Sequence, residues 1–124
     1  VYGGNGLRGY TSTFNHDGFF VLIGRQGALC GNINIAEGKS YITEHAIAVQ
    51  ANTENVTGFF QYLLLNMNLV QYSDQSAQPG LAVNKLLKLR INLPSKEEQQ
   101  KIATMLSLLD ARIATQNNII TTVC

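Results

Sequence analysis

Apolar residues are spaced along this chain in two different ways, and the change between them falls at Pro94. Upstream, short apolar runs alternate with glycine-rich connections. Phe19–Ile23 is continuous enough to predict a buried strand, with Gly24-Arg25-Gln26-Gly27 as the tight connection after it. Further strands are expected at Ile33–Ile35, Ser40–Thr43 and Ala46–Gln50. From Asn55 to Tyr72 the apolar positions Val56, Phe60, Leu63, Leu64, Met67 and Val70 follow a helical period, which predicts a helix packed on this sheet with Gly58 as its weak point. A loop at Ser76–Gly80, a short helix at Val83–Leu89 and a return strand at Arg90–Leu93 complete this part.

Downstream of Pro94 there is neither glycine nor proline, and the pattern becomes that of one long helix. Its start is marked by Ser95-Lys96-Glu97-Glu98, a capping box in which Ser95 receives the amide of Glu98 and Glu98 returns the bond. Beyond it, Ile102, Leu106, Leu109, Ile113, Gln116, Ile120 and Val123 recur at alternating spacings of four and three, the seam of a coiled coil with one polar member. Such a stripe can dock on its own domain or on a partner helix. Met105, Leu108 and Ile119 widen the apolar surface and favour the partner, with Gln116 placed to fix register. The fold class expected is therefore α+β: a small mixed sheet with packed helices, then a long C-terminal helix of coiled-coil type.

Composition narrows the function. With 124 residues the chain builds one core, and it has too little length for separate cofactor and substrate lobes. Only 14% of residues are charged, so its polarity resides in 12 Asn, 9 Gln and 9 Thr, side chains that pair donors with acceptors. The net charge of +1 means that charge alone does not announce a nucleic-acid binder. Cys30 and Cys124 make neither a metal spacing nor a disulfide framework, which fits the reducing cytoplasm. No apolar run approaches a membrane span. The abrupt opening at Val1, without a signal peptide, reads as a fragment of a longer chain.

Catalytic chemistry is scarce. Gly4-Asn5-Gly6-Leu7-Arg8-Gly9 spells G-x-G-x-x-G, yet three residues precede it and an extended Tyr10–Phe14 follows where a dinucleotide site needs a helix. The tract reads as a flexible turn or, functionally, as a backbone-exposed loop near a ligand. His16 beside Asp17 lies in an Asn-His-Asp-Gly sequence typical of a turn, and His45 is expected to satisfy backbone groups. Two histidines and two scattered cysteines make no zinc site, and no P-loop or nucleophile elbow occurs. What remains is a set of loop residues suited to DNA: Arg8, Tyr10, Arg25, Gln26, Asn32, Asn34, Lys39, Gln78, Lys85 and Lys88. Arg and Lys address guanine edges or phosphates, and Asn and Gln address adenine with two bonds.

The order of motifs resembles the specificity subunit of type I restriction-modification systems. The resemblance runs through Tyr2-Gly3-Gly4-Asn5-Gly6, Phe20–Gly24, Thr43-Glu44-His45-Ala46 and Gln78-Pro79-Gly80-Leu81. It ends in Ile91-Asn92-Leu93-Pro94, Glu98–Ala103 and Leu109-Asp110, the most specific stretch. It implies a partial target recognition domain over residues 1–94 and the start of a conserved spacer helix over 95–124. It also implies a non-catalytic chain that reads one half of a split duplex target. Methyltransferase subunits carrying S-adenosylmethionine and restriction subunits using ATP and Mg would be its partners, and a homodimer through the helix would supply a second half. Gly24, Thr43, His45 and Pro79 match the family pattern as framework. On chemistry alone, Arg25 and Gln26 are the first choices for base edges, with Arg8, Lys39, Lys85 and Lys88 for the backbone. The alternative is a protein-interaction or dimerisation module without DNA readout.

Overall fold

The computed structural model describes residues 1–25, 30–73 and 81–123, with side chains to residue 116. A three-stranded antiparallel sheet lies at its centre: β4 (Phe20–Gly24) is paired on one side with β5 (Ile33–Ala36) and on the other with β7 (Ala46–Val49). The continuous apolar run of β4 is explained by cover on both faces. Val21 and Ile23 are 0% and 2% exposed on one face, and Leu22 is 1% exposed on the other. Ile23 pairs with Ile33 and Ile47 and joins Cys30, Leu69 and Leu81 in one core cluster. Leu22 packs with Ala36, Ile42 and Ala46 in a second, closed by Tyr2 and Phe20.

Four short strands make two small ladders over the Leu22 face. The first is the hairpin β1 (Tyr2–Gly3) with β2 (Gly6–Leu7). The second pairs β3 (His16–Asp17) with β6 (Lys39–Ser40), and Ile42 bridges to Tyr2. The expected strand at Ser40–Thr43 is thus regular only at its start. The reason is Asn15, whose amide accepts from Ile42 N–H at 2.8 Å and donates to Ile42 C=O at 3.0 Å, taking the place of a neighbouring strand. His16 and Asp17, read as a turn, sit in that second ladder.

On the Ile23 face lies α1 (Thr57–Met67), followed by a 3-10 turn at Leu69–Tyr72. The expected single helix to Tyr72 breaks at Asn68, which adopts the left-handed conformation (φ 51°) that Asn tolerates, and the break turns Leu69 into the core at 1% exposure. Val70, assigned to the buried stripe, is 45% exposed in consequence. The most buried side chain of α1 is Phe59, outside that stripe. It lies between Gly58 and Tyr62, which meet the next helix layer, and Phe60 and Leu64, which meet the sheet.

The short helix α2 (Val83–Leu87) tucks Leu86 into the Ile23 cluster. The connector at Arg90–Leu93 is not the expected strand. It does not extend the sheet, and Ile91 instead lines a cavity of about 350 Å³ between β7, α1 and α2. The long helix α3 (Lys96–Val123, 28 residues) starts where Pro94 and Ser95 predict, with Glu98 N–H donating to Ser95 Oγ at 3.3 Å. It packs on the outer side of α1. The layers therefore run small ladders, sheet, α1, α3. Among the described residues no helix is long and apolar enough to cross a membrane.

Candidate nucleic-acid interface

The alternation along β5 separates two chemistries. Ile33 belongs to the Ile23 cluster, whereas Asn32 and Asn34 point to the opposite face, beneath the β1–β2 hairpin. The hairpin reaches them because its residues are glycines. A Cβ on Gly6 would stand 3.1 Å from Asn34 Oδ1, and Gly6 adopts φ +90°, which other residues resist. A Cβ on Gly3 would stand 2.8 Å from Arg8 Cδ, so the Arg8 side chain crosses the hairpin where no side chain exists. The G-x-G-x-x-G tract is thus an ordered hairpin laid on a polar strand end, and not the flexible turn expected.

Around it four of the expected DNA-contacting residues come together. Asn32 donates its amide to Asn5 Oδ1 at 3.3 Å. Asn34 lies against Gly6, and Arg8 lies across Gly3 near Thr43. Arg25 is anchored through its backbone N–H to His45 C=O at 3.0 Å, and its guanidinium reaches Glu44 C=O at 3.5 Å. Two half-buried amides and two guanidinium groups thus share one end of the sheet. Asn5 is absent from the residues expected to contact DNA, because nothing in the sequence places it against Asn32.

The remaining expected contacts lie elsewhere. Tyr10 is 90% exposed on the segment after β2. Lys39 lies over the Phe14 ring at 5.1 Å and opposite Asp17 in the second ladder. Lys85 and Lys88 are exposed on and beside α2, which is tied to the cluster by Leu81 N–H donating to Arg25 C=O at 2.7 Å. Gln26 and Gln78 lie outside the described residues. Of the framework residues, Gly24 ends β4, Thr43 Oγ1 accepts from His45 N–H at 3.4 Å, and Pro79 is also outside the described residues. His16 Nδ1 is 2.7 Å from Asn15 Oδ1 and its ring stands edge-on to Phe20, an arrangement that positions a strand. Among the described residues no group of three or more His, Cys, Asp or Glu side chains could hold a metal.

On α3 the side turned inward carries Gln99 and Ala103, 1% and 7% exposed, then Asp110, which accepts from Tyr62 Oη at 2.8 Å. Burial, then the hydrogen bond and the charge of Asp110, push the Tyr62 phenol up to about 12. The expected partner seam runs beside this inward face and partly joins it. Ile102 and Leu106 are half-buried against the domain, whereas Leu109 and Ile113 are exposed together with Met105 and Leu108. Gln116 is exposed, and the side chain of Ile120 is outside those described.

A family profile described as the type I restriction modification DNA specificity domain matches residues 3–123. The chain is 49% identical over 109 residues to the type I restriction enzyme EcoprrI specificity subunit of Escherichia coli, covering 88% of this chain and 27% of that protein. It is 30% identical over 113 residues to a putative type I restriction enzyme specificity subunit of Haemophilus influenzae, covering 89% of this chain and 29% of the relative. It spans less than a third of the length of either.

Proposed function

Because the chain belongs to the type I restriction modification DNA specificity domain family, we propose that it reads one half of a split sequence in double-stranded DNA. In this reading the chain is not itself a catalyst. It presents a sequence-reading surface, and its helix holds that surface in register with methyltransferase and restriction subunits in the cytoplasm. Those subunits would carry S-adenosylmethionine and the ATP and Mg used for cleavage.

The observation that carries the reading is the gathering of Arg8, Arg25, Asn32 and Asn34 around the β1–β2 hairpin. Asn amides match adenine, and guanidinium groups match guanine or phosphate, so one polar end offers both kinds of readout. Asn32 spends one amide hydrogen on Asn5 and retains its second hydrogen and its oxygen for a base. Lys85, Lys88 and Lys39 then serve as phosphate contacts on flanking elements. Near-neutral charge fits a chain that shares the phosphate load with its partners.

The experiment is a methylation map. The full-length subunit is co-expressed with its methyltransferase subunit, and modified adenines are located across a genome. A split motif supports the reading, and assembly of the complex without any motif refutes it. An interrupted palindrome would further indicate two copies paired through the helix. A second reading, a protein-interaction module without readout, is favoured by the exposed side chains Met105, Leu108, Leu109 and Ile113. It predicts helix-dependent association with no duplex preference.

A further inference from the structure

Gln99 is the only polar side chain besides Ser40 that is buried among the described residues, and it is 1% exposed. Its oxygen accepts from Val56 N–H at 2.9 Å, at the start of α1, where no side-chain cap is present. Its nitrogen donates to Asn55 Oδ1 at 2.8 Å and to Pro94 C=O at 3.0 Å. One amide from the first turn of α3 therefore fastens the start of α1, the loop before it and the connector leading into α3. Lys96 adds a bond to Thr53 C=O at 2.8 Å beside it. The next polar tie along the two helices is Tyr62 to Asp110, three turns further on.

We propose that Gln99 is a positioning residue: it locks the direction in which α3 leaves the domain, and the helix swings when that lock is removed. The leverage is large. At 1.5 Å per residue the helix extends about 36 Å from Gln99 to Val123, so a swing of about 10° moves its far end by roughly 6 Å. That is close to two base-pair rises of about 3.4 Å. If the chain reads DNA as proposed above, the lock determines how strictly the gap between the two half-sites is counted, while the bases within each half are read elsewhere. An apolar side chain could fill the same volume, but it would take from the half-buried Val56 and Pro94 the partner of the Val56 N–H and of the Pro94 C=O. Burial alone therefore does not account for an amide at this position.

Spin labels at Glu37→Cys, on the turn after β5, and Ala114→Cys, on the exposed side of α3, report the sheet-to-helix distance. They are placed in the full-length subunit freed of other reactive cysteines, and no DNA is added. The parent is expected to give one narrow distance distribution. Gln99→Met is expected to broaden or split it while circular dichroism stays that of the folded protein. Asn55→Ala, which removes one partner and keeps Gln99, should broaden it less. An unchanged width in folded Gln99→Met overturns the proposal. If Gln99→Met does not fold, Asn55→Ala decides in the same two directions. Methylation mapping of the broadened variant then gives the functional consequence: the same half-site bases with a looser gap. A loosened helix in a protein without any motif would uphold the lock and refute DNA readout, so the two failures are separable.

Discussion

Gly31 lies in the turn two residues before β5 and so determines where Asn32 stands. Its N–H donates to Gly24 C=O at 2.8 Å, and Gly24 N–H in turn donates to Asn32 C=O at 2.9 Å. Replacing it with alanine meets two separate costs. Its φ of +85° is left-handed, a conformation that costs an L-residue about 1–2 kcal/mol. The added Cβ would stand 2.7 Å from Val70 N and 3.2 Å from Leu69 C, both backbone, so the 3-10 turn must move and loosen a Leu69 that is 1% exposed. Overpacking of that kind costs about 1–3 kcal/mol. Gly31→Ala should therefore destabilise by about 2–5 kcal/mol, a large part of a typical domain's stability. Gly38 is the control, because at φ +74° it carries the same strain but a Cβ there meets nothing within 4 Å. Gly38→Ala should lose only about 1–2 kcal/mol. Urea unfolding followed by circular dichroism measures both, the chain having no Trp. Equal losses in the two variants would refute the contact between Gly31 and the 3-10 turn.

Three further outcomes are expected. Lys85→Ala should weaken binding to all duplexes alike and reduce the salt slope by about one phosphate contact; a loss confined to certain sequences contradicts that role. Tyr62 titrates near 12 in the fold against 10.0 unfolded, so its contribution is present below pH 10 and is lost as pH rises towards 12. Unfolding midpoints should fall over that window in the parent and fall less in Tyr62→Phe, and parallel pH curves would contradict the Tyr62–Asp110 bond. Leu109→Asp, at a side chain 48% exposed, should abolish helix-mediated association while leaving the domain folded; unchanged association assigns the partner surface elsewhere.

The sequence made the central strand and the long helix legible because each carries an undiluted signal. Five consecutive apolar residues marked β4, and Pro94-Ser95 before a stretch free of Gly and Pro marked α3. The structure departs from the sequence pattern where side chains replace backbone partners or where one helix serves two layers. Asn15 grips Ile42 and shortens a strand, Asn68 breaks α1, and Phe59 is buried because α1 has both the sheet and α3 as neighbours. Arg8, Arg25, Asn32 and Asn34 were readable as DNA-like chemistry, but their convergence was not. It depends on a hairpin whose glycines let backbone lie on a strand more than twenty residues away. Gln99 had a trace in the sequence, since Gln99, Ala103 and Asp110 share a helical face beside the apolar seam. A polar residue on a docked face shows its role only when its partners are known.

The most direct test of sequence readout by the hairpin end is the methylation map of Asn32→Ala beside that of the unaltered full-length subunit, each with its methyltransferase subunit. Asn32 is half-buried, tied to Asn5, and placed with an amide edge to spare. In Asn32→Ala the same motif is expected to persist with relaxed discrimination at one base pair, a loss of about 1–3 kcal/mol if the amide makes two bonds to its base. A motif identical at every position, together with an identical result for Arg25→Ala, would contradict it.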